Sequence, residues 1–165
     1  MARRIHDFRW FQVCWLPKYG WIMRRGPAVV VVPVASDGKV WLERIHRPPT
    51  GIVSWEVPGG EVGPREDPVD AALRELSEEC GLGASGARLL SPTLELASGM
   101  GSFPHHVVVA RDVAPLGRRP VAQREEGIDR VQRFDRRRIR QMIKRGLVVM
   151  QPTISAITLW DCWEG

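Results

Sequence analysis

The sequence predicts an α+β domain in which a mixed sheet lies between helices, and three observations carry that prediction. Strand-like apolar runs crowd the first fifty residues, an amphipathic helix with readable ends covers residues 68 to 80, and two more helical stretches close the chain. The 165 residues suit one domain, residues 1–165, with a proper core, and are few for two.

The elements follow in order. "RWFQVCWL", "YGWIMRR", "AVVVVPVA" and "KVWLERI" read as strands, separated by turn signals at Pro17, Gly26-Pro27 and Ser36-Asp37-Gly38. The Pro- and Gly-rich stretch after Arg47 is mostly loop, broken by a short strand around Trp55 to Val57. Asp67 then caps a helix, Pro68 fits its first position, Asp70 lies in the first turn, and Gly81 stands where the chain must leave it. Val69, Ala72, Leu73, Leu76 and Cys80 form its apolar stripe, with Glu75, Glu78 and Glu79 on an adjacent flank. Beyond it come strand-like "ARLLSPTLEL", a loop "ASGMGSFP", strand "HHVVVARDV", an irregular stretch, strand "IDRVQRF", a basic helix within residues 134 to 146, and a last helix around Thr153 to Trp163.

Composition narrows the class. With 44% apolar and 26% charged residues the chain is globular. Its longest apolar run, Ala28 to Val34, is strand-length, so no membrane span is expected. The N-terminus has basic residues without a following apolar region, which predicts a cytoplasmic protein. Cys14, Cys80 and Cys162 suit reduced thiols better than a disulfide framework or a zinc site. Much of the net charge of +5 sits in "FDRRRIRQMIKRG", read as the solvated face of a helix whose apolar side is Phe134, Ile139, Met142 and Ile143. Nucleic acid is a possible partner of that face but not the favoured one.

The glutamates pose the chemical question. Like charges three or four apart on a helix repel by roughly 0.2–0.5 kcal/mol per pair. A hard divalent cation turns that repulsion into ligation, because Mg²⁺ takes carboxylate oxygens and commonly bridges them to substrate phosphates. The competing reading is an exposed helix with Arg74 paired to Glu78 at i,i+4.

Spacing decides between them. Gly60, five residues, Glu66, seven residues, then Arg74-Glu75-Leu76-Ser77-Glu78-Glu79-Cys80-Gly81-Leu82 resembles the complete Nudix box of the Nudix hydrolase family. The resemblance implies a Nudix fold, an α/β/α sandwich with a central mixed sheet, here preceded by an N-terminal β-hairpin. It also implies cleavage of a nucleoside diphosphate linked to another moiety, with Mg²⁺ as cofactor and Mn²⁺ as a possible substitute. On this resemblance Glu75 and Glu79 are the principal metal ligands, Glu78 assists, and the Gly59 carbonyl is a further ligand. Arg74 orients a glutamate, Glu66 braces the loop, and Gly60 and Gly81 are structural positions of the box.

A looser resemblance covers most of the chain and points to the ADP-ribose pyrophosphatase branch. "LERIHRPPTGIVSWEVPGG" places Arg47 and Glu56 where that branch binds substrate, and the branch's N-terminal strands reach across a homodimer, a role expected here of residues 1–26. The sequence departs from the branch between Leu96 and Arg111, where a loop acid is missing, leaving Glu125 and Glu126 as candidate bases. His105 and His106 face opposite sides of a strand, so at most one serves a site, and structural use of both is the simpler reading. The expected substrate is ADP-ribose or a nucleoside diphosphate sugar. The alternatives are a nucleoside triphosphate or RNA 5′-pyrophosphohydrolase, and a nucleotide-binding domain without turnover.

Overall fold

The valines of "AVVVVP" alternate between two cores, and that alternation sets the layers. Val29 and Val31 pack with Ala71, Ala72 and Leu76, whereas Val32 packs with Ile139, Met142 and Trp160. A strand buried on both faces reads as an unbroken apolar run. The computed structural model describes residues 3–7, 11–118, 120–121 and 126–164.

The strands are β1 (Arg3–Asp7), β2 (Gln12–Leu16), β3 (Gly20–Arg24), β4 (Ala28–Pro33), β5 (Val40–Arg47), β6 (Ile52–Glu56) and β7 (Gly59–Glu61). Helix α1 (Pro68–Cys80) follows, then β8 (Leu82–Gly83), β9 (Gly86–Glu95), β10 (Gly101–Ser102), β11 (Pro104–Arg111), β12 (Ala114–Pro115) and β13 (Ile128–Phe134), then α2 (Arg136–Lys144) and α3 (Gln151–Glu164). The central sheet runs β7-β4-β11-β9 and is mixed, β4 pairing parallel with β11 and antiparallel with β7. Helix α1 covers one face, α2 and α3 the other, which is the sandwich expected. A second sheet, β13-β5-β6, is antiparallel throughout.

Local signals fixed α1 well. The Asp67 side chain accepts from the Val69 amide at 2.7 Å, and Gly81 leaves the helix at φ 67°, in the left-handed region. A Cβ at Gly81 would also lie 3.0 Å from the Arg118 carbonyl.

Two expectations need correction. The first strand, read from Arg9, is preceded by a separate strand β1, whose polar "RRIHD" carries no apolar alternation, while Phe8 and Trp10 lie outside the described residues. The strand placed around Trp55 to Val57 spans Ile52–Glu56, its outer edge completed by the later chain. There the Trp55 amide donates to the Leu147 carbonyl at 2.9 Å, the Val149 amide to Ser54 Oγ at 3.3 Å, and the buried Val57 amide to Thr153 Oγ1 at 3.2 Å. The basic helix is as expected, with Ile139 and Met142 buried and Arg137, Arg138, Arg140, Lys144 and Arg145 exposed, while Arg136 lies over the Trp160 ring at 3.9 Å and Arg140 pairs with Asp161 at 2.8 Å.

Candidate active site

The site grows from the close approach of β7 to α1. Two glycines make that approach possible. A Cβ at Gly59 would stand 2.3 Å from the Val29 carbonyl oxygen, and one at Gly60 would stand 2.2 Å from Glu75 Oε1. The Gly59 amide donates to Glu79 Oε2 at 2.9 Å, so the helix carboxylates meet the strand backbone directly.

Arg74 organises the outer half. Its guanidinium donates to Glu66 Oε1 at 2.9 Å, Glu75 Oε1 at 2.7 Å, Glu78 Oε2 at 3.2 Å and the Glu61 carbonyl at 2.9 Å. Glu66 in turn accepts from the Gly63 amide at 2.7 Å, bracing the loop before the helix. The Arg74 hydrogen bond, then that amide, hold the Glu66 carboxyl below the usual carboxylate range. One arginine thus makes the i,i+4 pair with Glu78 and also bonds Glu75.

The inner half is buried, with Arg47 as its cation. Glu79 is only 4% exposed, the deepest of the three helix glutamates. Burial first, then the charge of Glu43, pushes the Glu79 pKa up, and burial does the same to Glu43 and Glu75. Glu43, 1% exposed, lies directly opposite Glu56, 4% exposed, in the β5–β6 register. The Cys80 thiol donates to Glu43 Oε2 at 3.5 Å, and Arg47 Nη2 donates to Glu56 Oε2 at 2.9 Å. Glu56 Oε1 is buried with no hydrogen-bond partner.

A cavity of about 510 Å³ opens beside these groups, lined by Arg25, Arg47, Glu56, Gly59 and Gly60, with Met150 and Thr153 on the α3 side. That volume lies in the range of small-molecule sites. Glu126 is exposed, and the carbonyl of the next residue, Gly127, accepts from the His46 amide at 3.1 Å, which brings the chain after the irregular stretch beside β5. Glu125 lies outside the described residues. His105 is buried and His106 half-buried on the other face of β11, as their alternation required.

Sequence reasoning missed Glu43. The available signal was an acid inside the apolar run "VWLERI". Among the described residues no three His, Cys, Asp or Glu side chains converge into a finished ligand cage, because Arg74 and Arg47 occupy the carboxylates. The donor set still fits a hard divalent cation. It is all oxygen, the glycine cradle leaves backbone room beside Glu75, and buried Glu79 reaches the Gly59 backbone directly.

The NUDIX domain family model matches residues 24–152. Among curated proteins, the chain is 33% identical over 117 residues to the CMP-5'-(N-acetyl-N-hydroxy-3-aminopropyl)phosphonate hydrolase of Streptomyces rubellomurinus, covering 66% of this chain and 56% of that one. It is 48% identical over 58 residues to the RNA pyrophosphohydrolase of Caulobacter vibrioides, covering 34% of this chain and 32% of the relative. The chain thus spans little more than half of the first relative and about a third of the second. Among solved structures, an ADP compounds hydrolase superposes with TM-score 0.74 at 23% identity, covering 99% of this chain and 91% of that one. A NUDIX hydrolase from Nitrosomonas europaea gives 0.65 at 22% identity, covering 84% and 90%.

Proposed function

The chain belongs to the NUDIX family, and from that premise we propose that it is a divalent-cation-dependent hydrolase of the diphosphate linkage in a nucleoside diphosphate derivative, ADP-ribose or a nucleoside diphosphate sugar. One observation carries the reading: Glu75 and Glu79 meet the Gly59-Gly60 backbone at the wall of a cavity that also holds Arg47 and Glu56.

Glu75, Glu79 and the Gly59 carbonyl would hold the cation, with Glu78 assisting, and Mg²⁺ is the expected ion with Mn²⁺ a substitute. When bound, the cation supplies neutralisation of the diphosphate and a more acidic water. Arg74 links the Glu75 and Glu78 carboxylates to the Glu61 carbonyl of β7. Arg47 stands at the cavity wall to take an anionic group of the substrate. Glu126 accepts a proton from the attacking water as the bridging P–O bond breaks, releasing a nucleoside monophosphate and a sugar phosphate.

The relatives named RNA pyrophosphohydrolase, with the exposed guanidiniums of Arg137 and Arg138 on α2, favour a second substrate class, 5′-triphosphorylated RNA. Phosphate-monoester release with Mg²⁺ across ADP-ribose, nucleoside diphosphate sugars, nucleoside triphosphates and a short triphosphorylated RNA separates the two. Turnover of none of them leaves a nucleotide-binding domain. Glu126→Gln is expected to lower kcat with little change in KM, the pattern of a group acting in the transition state.

A further inference from the structure

Arg47 occupies an unusual position for a residue that is to hold substrate. Its Nη2 donates to Glu56 at 2.9 Å, and Glu56 is all but fully buried. Burial would lower the Arg47 pKa, yet the Glu56 hydrogen bond and the charges of Glu56, Glu43 and Glu79 raise it. The guanidinium thus lies within the field of three buried carboxylates, one of them a cation ligand in the reading above. Its Nε is buried without an acceptor, and Glu56 Oε1 is buried without a donor, so the seat is imperfectly matched. Two buried polar groups left unpaired both disfavour this seat.

From this arrangement we propose that Arg47 is the resident counter-cation of the carboxylate centre, and that a divalent cation displaces it toward the cavity, where it meets the substrate's anionic group. The inference rests on the metal-centre reading and deepens it. An arginine and a dication compete for the same negative field, because each buried carboxylate needs one countercharge and is crowded by a surplus. Cation binding lessens the pull on Arg47, and the imperfect seat adds little to retain it. Arg47 is already at the cavity wall, so release needs a rotamer change and no movement of β5. The consequence is order: an empty centre keeps Arg47 turned inward, and a loaded one presents it. By linkage, substrate that captures Arg47 tightens cation binding by the same factor.

Arg25 provides the internal control. It lines the same cavity, but its partner Glu61 is exposed, 3.2 Å away, and belongs to no buried cluster.

The test needs no substrate. Cation uptake is measured by Mn²⁺ binding, through water-proton relaxation, on wild type, Arg47→Gln and Arg25→Gln. Arg47→Gln is expected to bind Mn²⁺ about tenfold more tightly, within the span typical of coupled sites, and Arg25→Gln to match wild type. In parallel, the Arg47 Nε–H signal of the ¹⁵N-labelled wild type, assigned by its loss in Arg47→Lys, is followed through a Mg²⁺ titration. It is expected to shift and lose protection from solvent exchange. Should Arg47→Gln fail to fold, this second measurement decides alone. Unchanged or weaker Mn²⁺ affinity in Arg47→Gln, or an Arg47 signal that stays put at saturating Mg²⁺, overturns the exchange while leaving the centre intact. Absence of cation uptake by wild type overturns both.

Discussion

Glu43 and Glu56 face each other directly across β5 and β6, and each is all but sealed from solvent. Opposed like charges weaken a strand pair. Here the Cys80 thiol on the α1 side and the Arg47 guanidinium on the cavity side offset the repulsion. The strands therefore bring the sheet's acids and the helix's acids to one place. Several measurable properties derive from that crowding.

Glu79→Gln removes a buried charge while an amide oxygen can still accept from the Gly59 amide. Stability of the cation-free protein is expected to hold or rise, since a carboxyl whose charged form burial disfavours is lost. Hydrolysis is expected to fall by about 10²–10³ or more, the scale of losing a transition-state charge partner. Full activity in this variant, or in excess chelator, would refute the metal assignment.

The adjacent glycines should separate. At Gly60 an added methyl meets the end of the Glu75 side chain, which can swing away, so Gly60→Ala is expected to impair cation binding and activity more than folding. At Gly59 the same methyl meets the Val29 carbonyl and Val30 Cα, which are backbone, so Gly59→Ala is expected to cost about 1–3 kcal/mol of stability. Urea denaturation in chelator checks the pair, and equal destabilisation by both would contradict the cradle geometry.

Burial raises Glu43, Glu75 and Glu79 above the ordinary glutamate value of 4.5. A carboxyl raised on folding binds protons more readily in the native state, so its contribution is complete below 4.5 and is lost as pH climbs through the raised values. Glu66 is lowered, and its contribution disappears only at pH below 4.5. The cation-free protein is therefore expected to melt highest at about pH 5 and progressively lower toward pH 8, with saturating Mg²⁺ flattening the decline by favouring ionised ligands. Scanning calorimetry in chelator checks this, and a melting temperature that rises from pH 5 to 8 would reverse the argument.

Trp15 and Trp21 stack edge to face at 5.2 Å on the β2–β3 hairpin, with Trp21 60% and Tyr19 78% exposed. We propose that this aromatic face is covered by a second copy of the chain, since contiguous exposed aromatics mark association surfaces. Sedimentation is expected to give two chains for wild type and one for a Trp15→Ser, Trp21→Ser double variant. A wild-type monomer at micromolar concentration would contradict it.

What the sequence revealed was what local chemistry decides. Asp67, Pro68 and Gly81 delimit α1 because capping and φ preference act within a few residues. The alternating valines of β4 identify a strand with two covered faces for the same reason. Glu43 stayed hidden because its burial depends on its pairing with β6 and on Cys80, which lies 37 residues on. The burial of Glu79 escaped periodicity as well, since the helix docks against β7 through two glycines that leave no side chain in between. Strand β1 had no signal to read, its five residues being mostly polar.

The hydrogen bond from the Val57 amide to Thr153 joins residues 96 positions apart, two residues before Gly59. A ribosome makes those residues in order, so a nascent chain whose β7 and α1 have emerged still lacks the acceptor for that buried amide and the 147–149 segment that borders β6. The carboxylate centre is encoded early and closed late. A chain that ends between α1 and α3 therefore carries Glu43, Glu56, Glu75 and Glu79 without the contacts that complete the outer edge of β6 beside them.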